Sequence, residues 1–483
     1  MPVQPPDIDL LPIGPELALA GAGILVLLLD AWRPARNQRA AVGLTLIGLA
    51  AAAALTLTLF RWEGPSSVLG EMVAVDRVTL FFRLVIVASA AVAVLFSAAY
   101  LARTGEARGE YYALLLFATS GMTLLTSAAD LIMVFLSLEV LSLSLYVMAG
   151  FSGRRLASQE ASMKYFLLGA FSSAFFLYGI ALTYGATGTT NIQRVGAAIA
   201  QIVGGPDPSP ALVLAGAALL AVGFGFKVAA VPFHMWTPDV YQGAPTPVTG
   251  FMAAGTKVAG FAALLRVAFL GLAPVGDRLT PALWAVSALT MVVGSVLAIA
   301  QTDMKRILAY SSIAHAGFVL VGVVAANQAG LAGAMFYLAV YAAMILGAFG
   351  VVALVSRRGE ERTSLVSYEG LYRRSPLLAA LLTLFLLSLA GIPPTAGFLA
   401  KVLVFQAAVN AGHWALVVVA VLASVVAAFF YIRVIVVMYM QEPEEAGTIS
   451  TRPIPGIGLA VTAALTLFLG VFPGLLLDPI VGR

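Results

Sequence analysis

Long apolar runs of about twenty residues, the length that crosses roughly 30 Å of hydrocarbon, recur along the whole chain and are separated by short polar connections. The pattern predicts fourteen spans. Eight lie at roughly 15–32, 40–60, 78–101, 110–128, 130–151, 162–186, 211–231 and 245–271; six follow at roughly 282–300, 306–326, 331–355, 376–410, 413–440 and 455–475. The run at 376–410 is too long for one straight crossing. The expected fold class is therefore an all-α polytopic membrane protein. The longest polar connections, around 187–210 and 356–375, are too short to fold alone.

Composition agrees: of 483 residues, 61% are hydrophobic and 10% charged. The net charge of +4 is spread without a basic cluster, so nucleic acid is not an expected partner. With no cysteine, the chain can form no disulfide, thiolate-held iron–sulfur cluster or thiolate zinc site. The first sixteen residues hold three acids (Asp7, Asp9 and Glu16) and no Lys or Arg, which is unlike the basic start of a cleaved signal, so the first span is expected to be retained.

Alternate numbering of the connections sorts the cations. One side collects Arg33, Arg36, Arg39, Arg103, Arg108, Arg154, Arg155, Lys164, Lys305, Arg306, Arg357, Arg358, Arg362, Arg373, Arg374 and Arg452. The other has Arg61, Arg77, Arg83, Arg194, Arg278 and Arg483. Sixteen against six is the asymmetry expected of cytoplasmic and external loops, with both termini outside.

Five cations remain within spans: Lys227, Lys257, Arg266, Lys401 and Arg433. A charged amine in hydrocarbon is costly, so intramembrane lysines usually line an ion path or polar cavity. Arg266 and Arg433 lie toward span ends and are expected to anchor or pair structurally; Lys305, Arg306 and the cations at 357–374 read as orientation signals. Lys257 lies too deep to snorkel. Glu139 is the one acid clearly in mid-span.

Two spans carry prolines beside a lysine: Pro232, Pro238, Pro245 and Pro247 follow Lys227, and Pro393 and Pro394 precede Lys401. Proline removes a backbone donor, and the carbonyls it frees are tolerable at membrane depth only beside protein or water. Gly223 and Gly225, before Lys227, lack the rest of a dinucleotide motif and read as packing glycines. The lysines at 227 and 401 are 174 positions apart, and segments around Tyr165 and Phe336 echo weakly at 171, suggesting two inverted five-span units.

The strings PFHMWTPDVYQGAPTPV at 232–248, QTDMKRILAYSSIAHAGF at 301–318 and GIPPTAGFLAK at 391–401, with Glu139 in LSLEVLSLSLY, resemble the antiporter-like membrane subunits of respiratory complex I. The lysine at 401, and a chain that stops soon after the fourteenth span, are similar to the N-type subunits of NADH-quinone oxidoreductase within that family. The resemblance implies a proton-pumping module. Glu139 and Lys227 would be its charge pair, Lys257 its central lysine, Lys401 the lysine of the second half-channel, and His315 a relay position or a histidine bonded to a neighbouring hydroxyl.

It also implies broken helices seven and twelve, and a single membrane domain 1–483. The parts expected are an N-terminal three-helix segment at 1–109, a first repeat at 110–275, a second inverted repeat at 276–440 and a C-terminal helix at 441–483. The chain itself would bind no cofactor. NADH, FMN, iron–sulfur clusters and quinone belong to partner subunits, with other complex I membrane subunits and the bilayer of a bacterial plasma membrane as surroundings.

The chemistry is self-consistent. At about 7 Å and an effective dielectric of about 20, a carboxylate alters an ammonium's energy by roughly 2.4 kcal/mol, about fiftyfold in proton affinity. Moving the Glu139 charge relative to Lys227 would thus switch that lysine between binding and releasing a proton. Two other readings stay open: a cation/proton antiporter, which would want several oxygen ligands, and a passive scaffold locked by its charges.

Overall fold

The computed structural model describes residues 9–32, 38–205, 210–356, 361–443 and 453–481. The loop cations Arg33, Arg36, Arg357, Arg358, Arg452 and Arg483 lie outside these described residues.

The chain is a helical bundle. Its first five long helices are α1 (Gly14–Trp32), α2 (Gln38–Thr58), α3 (Arg77–Thr104), α4 (Gly109–Ser127) and α5 (Leu131–Ala149). The next are α6 (Leu156–Thr187), α7 (Ile192–Gly204), α8 (Ala211–Val228) and α9 (Trp236–Gly243). Then α10 (Thr246–Phe251) runs through a π turn at Met252–Thr256 into α11 (Lys257–Arg266). They are followed by α12 (Gly276–Ile299), α13 (Met304–Val324), α14 (Gln328–Val355), the single turn α15 (Leu371–Arg374), α16 (Pro376–Ala390), α17 (Ala396–Asn410), α18 (Trp414–Met440), α19 (Pro453–Val471) and α20 (Gly474–Val481).

Twelve helices among the described residues are long and apolar enough to cross a bilayer. The 19-residue α4 and the pair α16 and α17 make up the fourteen spans expected. At about 1.5 Å per residue neither α16 nor α17, with 15 residues each, crosses alone. The seventh span is broken too, between α8 and α9. The connection at 187–210 contains α7, whose apolar side (Ile192, Val195, Ile199) is buried, and a two-stranded hairpin, β1 (Ser67–Val68) and β2 (Val73–Ala74), lies in the loop before α3.

The core sits around α13 and α14, each 94% buried over an apolar stretch of eighteen residues, while the corresponding stretches of α6, α12 and α18 are 33% buried. Helices shielded from lipid on all sides can carry polar groups that a lipid-facing helix cannot. That shielding is why the QTDMKRILAYSSIAHAGF segment, with two serines and a histidine, is a membrane helix.

One arrangement occurs twice. Asp130 caps α5, takes a hydrogen bond from Thr190, and its neighbour Leu131 N–H donates to the Thr190 carbonyl at 2.9 Å, while Ile192 N–H returns to Ala129 O. Asp303 caps α13, takes one from Thr363, and Met304 N–H donates to the Thr363 carbonyl, while Leu365 N–H returns to Thr302 O. Every partner is displaced by 173 positions (303 − 130, 363 − 190). Helix packing repeats at the same interval: Gly121 lies against the Leu141 backbone as Gly294 lies against that of Ala314, and a Cβ on either would come within 2.6 or 2.5 Å of a backbone nitrogen.

The two breaks repeat at another interval. Helix α8 closes on Ala229 in the left-handed region, with Ala230 N–H on Gly225 O; α16 closes on Gly391 in that region, with Ile392 N–H on Leu387 O. These are 162 apart (391 − 229). The 174-residue spacing of Lys227 and Lys401 is therefore not the spacing of corresponding positions. Lys227 precedes its break and Lys401 follows its own.

Candidate functional site

Glu139 stands half-buried on α5 and accepts a hydrogen bond from Ser173 of α6. One turn on, Ser142 accepts from the Lys227 ammonium at 2.8 Å. Glu139 and Lys227 thus meet through two serines, without the direct ion pair that a charge pair suggested. Between them lies a cavity of about 20 Å³, lined by Ser142, Tyr146, Ser172, Ser173 and Lys227, which is room for one water. Lys227 is in the last turn of α8, where the helix dipole favours a cation, and its ammonium faces the Tyr165 ring at 5.9 Å. Gly223 and Gly225 do pack closely, against Phe176 and Phe233.

The aliphatic stem of Lys227 rests against Gly260, one turn beyond Lys257; a Cβ there would sit 3.3 Å from Lys227 Cγ. Lys257 opens α11 directly after the π turn, a local widening often found at functional sites. Its ammonium donates to the Ser312 hydroxyl at 2.7 Å and to the Ser312 carbonyl, and faces the Tyr341 ring at 5.4 Å.

His315 is one turn further along α13. Its Nδ1 pairs with the Tyr337 hydroxyl at 2.7 Å and Nε2 with that of Tyr431 at 3.3 Å, and Tyr431 pairs in turn with Ser311. The ring lies between Tyr341 and Phe318, with centroids 5.1 and 5.7 Å away.

Lys401 covers the other face of this group, its ammonium 4.7 Å from the Phe318 ring centroid. It donates to the Ala390 carbonyl at 2.8 Å. That carbonyl would normally receive the N–H of residue 394, which is proline and has none. The closure of α16 on Gly391, ahead of the proline pair, thus leaves free the acceptor that holds the lysine. The stem passes over Gly391, where a Cβ would lie 3.0 Å from Lys401 Cδ. All four titratable groups beyond Glu139 are buried, at 5% (Lys227), 2% (Lys257), 2% (His315) and 5% (Lys401) exposure.

Arg266 and Arg433 pair structurally, as expected. Arg266 grips Asp76 with two nitrogens at 2.7 and 3.0 Å, and Arg433 donates to the carbonyls of Ile299 and Gln301 where α12 ends. Burial pushes the Asp76 carboxyl up, but the adjacent guanidinium and the hydrogen bonds outweigh it and hold it below its ordinary value.

Four charged groups behave unlike their sequence reading, among them Arg374, which is buried and donates to the Ser367 carbonyl. Arg83 is no loop cation: it is fully buried in α3 and pairs with Glu16 of α1 at 3.0 Å. Glu16 is accordingly a second acid buried in a span. Lys305 is no exposed orientation signal either, having no exposure and binding Glu361 at 3.0 Å. Only their alternating distance from span ends was legible in the chain, and a charge near a span end looks the same whether it faces water or a partner helix.

Residues 128–427 match the family model described as NADH:quinone oxidoreductase/Mrp antiporter, TM. The chain is 43% identical over 472 residues to NADH-quinone oxidoreductase subunit N of Trichlorobacter lovleyi, covering 98% of this chain and 96% of that one. It is 46% identical over 511 residues to subunit N of Saccharopolyspora erythraea, covering 99% and 98%. Among solved structures it superposes on a chain of respiratory complex I from Thermus thermophilus with bound aureothin, at TM-score 0.81, 39% identity and coverage of 96% and 98%. It shares its fold with a chain of the Mrp complex from Dietzia sp., at TM-score 0.83, 24% identity and coverage of 98% and 96%. A broken-helix bundle with buried amines, matched over nearly its whole length by these relatives, belongs to the NADH:quinone oxidoreductase/Mrp antiporter family of membrane subunits, on its subunit N branch.

Proposed function

We propose that this chain is a proton-translocating membrane subunit of an NADH:quinone oxidoreductase, and that Glu139, Lys227, Lys257, His315 and Lys401 carry the protons. The observation that supports this most is the continuity of buried and half-buried groups. Glu139, Ser173, a water-sized cavity, Ser142, Lys227, Lys257, Ser312, Tyr341, His315, Phe318 and Lys401 follow one another through packed neighbours from α5 to α17. Hydroxyls and ordered water would bridge the steps between amines. The hydroxyls of Tyr165 and Tyr341, beside Lys227 and Lys257, are buried without a protein partner among the described residues and are suited to that role.

Protons enter through one broken helix, pass laterally along the three lysines and leave by the other. The repeats are 110–275 and 276–440, preceded by a three-helix segment at 1–109 and followed by a C-terminal segment at 441–483. The 173-residue recurrence supports this division. NADH, FMN, iron–sulfur clusters and quinone act in partner subunits. The protein resides in a bacterial plasma membrane with both termini outside: setting aside the buried Lys305, Arg374 and Arg83, the loop cations still divide fourteen to five (16 − 2 and 6 − 1). Exchange of a hard cation is disfavoured because the charged groups from Lys227 to Lys401 are amines, whereas such ions bind oxygen ligands.

The test is reconstitution of the complex with Lys227→Ala, Lys257→Ala or Lys401→Ala, measuring NADH oxidation and acidification together. Each variant should assemble and lose most of its proton translocation. Full translocation in all three would exclude the relay.

A further inference from the structure

Glu361 lies in the loop between α14 and α16, outside the relay, yet its side chain is 5% exposed and both carboxylate oxygens are engaged. One oxygen accepts from the Tyr100 hydroxyl of α3 at 2.6 Å and from both the backbone N–H and the hydroxyl of Thr246 at 2.8 Å. The other accepts from Lys305 at 3.0 Å and is ion-paired with Arg155 at 2.9 Å. Lys305 also donates to the Ala244 carbonyl, where α9 ends.

Thr246 is the first residue of α10 and Lys305 the second of α13. One carboxylate therefore pins the starts of two helices that run from the same membrane face. Deeper in the bilayer the same two helices meet again, at Lys257 and Ser312. Lys257 is eleven residues beyond Thr246, and Ser312 seven beyond Lys305. Sliding one helix against the other at its start would carry Lys257 along α13, away from the serine that holds it. The loop bearing Glu361 leads into α16, whose last carbonyl binds Lys401.

We propose that Glu361 is a positioning residue for proton transfer: by clasping Thr246 and Lys305 together it sets the register of α10–α11 against α13, and with it the contact between Lys257 and Ser312. A carboxylate suits the place because two cations and a helix N-terminus converge on it. This inference rests on the proposed relay through Lys257.

Two variants separate the clasp from mere charge balance. Glu361→Gln removes the charge, and Thr246→Pro removes both Thr246 donors while leaving the ions paired, proline being compatible with the first helical position. The complete complex carrying each is reconstituted, its content measured, and NADH-driven acidification followed from pH 5.5 to 8.5. In each variant that assembles, acidification per complex should fall at least threefold and its pH profile shift by half a unit or more. Lys305→Gln added to Glu361→Gln, which removes one of the two unpaired cations, should not restore it.

Wild-type acidification and pH profile in Thr246→Pro, or full recovery in the double variant, would overturn the proposal. If Glu361→Gln fails to assemble, Thr246→Pro decides alone. If Thr246→Pro also fails, faster hydrogen exchange across 246–257 in complex carrying the milder Glu361→Asp is the expected result, and unchanged exchange overturns it. Loss of acidification in Lys257→Ala with none in these variants would reject the clasp alone; no loss in Lys257→Ala would reject the relay itself.

Discussion

Ser142, which holds the Lys227 ammonium at 2.8 Å, and His315, which is bonded to Tyr337 and Tyr431, occupy corresponding places on α5 and α13, 173 positions apart (315 − 142). By the same interval Glu139 corresponds to Ser312, the partner of Lys257. One helix face has thus been fitted twice with polar groups that address a lysine, using different residues each time.

Ser142→Ala removes the hydroxyl partner of Lys227. A hydrogen bond to a charged group contributes about 1.5–3 kcal/mol, so proton translocation should slow roughly tenfold or more while the complex still assembles. Ser142→Thr, which keeps the hydroxyl, should retain most of it. Acidification by reconstituted complex, normalised to its content, measures both.

Gly391→Ala places a Cβ 3.0 Å from Lys401 Cδ and a side chain at φ 88°, a region that costs an L-residue about 1–2 kcal/mol. Lys401 should lose its seat on Ala390 O and acidification should fall severalfold. The complementary change at the other break, Ala229→Gly, relieves φ 62° and should leave stability equal or higher by up to about 1 kcal/mol, read as the melting temperature of purified complex.

Glu16→Ala or Arg83→Ala leaves one buried charge unpaired, a change that typically costs about 3–5 kcal/mol. Either variant should assemble poorly. Replacing both by apolar residues of similar volume, Glu16→Leu with Arg83→Met, should restore yield, as seen by blue native gel and thermal melting in detergent.

The pH dependence of the Glu361 clasp follows from its chemistry. Burial alone would raise its carboxyl, but Lys305, Arg155 and the hydrogen bonds from Tyr100 and Thr246 outweigh burial and bring it down to about 2 from an ordinary 4.5. A depressed acid contributes stability above its unfolded value and loses it as pH falls through the folded one. The clasp should therefore be intact at pH 5, contribute roughly 3 kcal/mol there, and fail only between about 4.5 and 2. Glu361→Gln should remove that acid-dependent portion from a pH series of melting curves.

Much of this protein was legible in its chain. Span positions follow from apolar run lengths because the bilayer imposes a length and forbids unsatisfied backbone, so all fourteen overlap the helices with ends displaced by up to six residues, while the short helices α7, α9, α15 and α20 were unseen. The breaks at 229–235 and 391–395 follow from proline chemistry, and the buried amines from the cost of charge in hydrocarbon. These are local constraints, and local sequence carries them.

What surrounds each charge was decided by tertiary packing. Nothing near Lys305 in sequence announces Glu361, 56 positions away, and nothing near Arg83 announces Glu16, 67 away. Lys227 could have met Glu139 directly, yet the rotation of α5 presents Ser142 instead. A buried charge is stabilised by whichever groups the fold brings within about 3 Å, and those come from helices distant in the chain. Hydropathy therefore determined where amines sit along the membrane, while only the assembled bundle decided which of them line the proposed relay and which are tied off as structure.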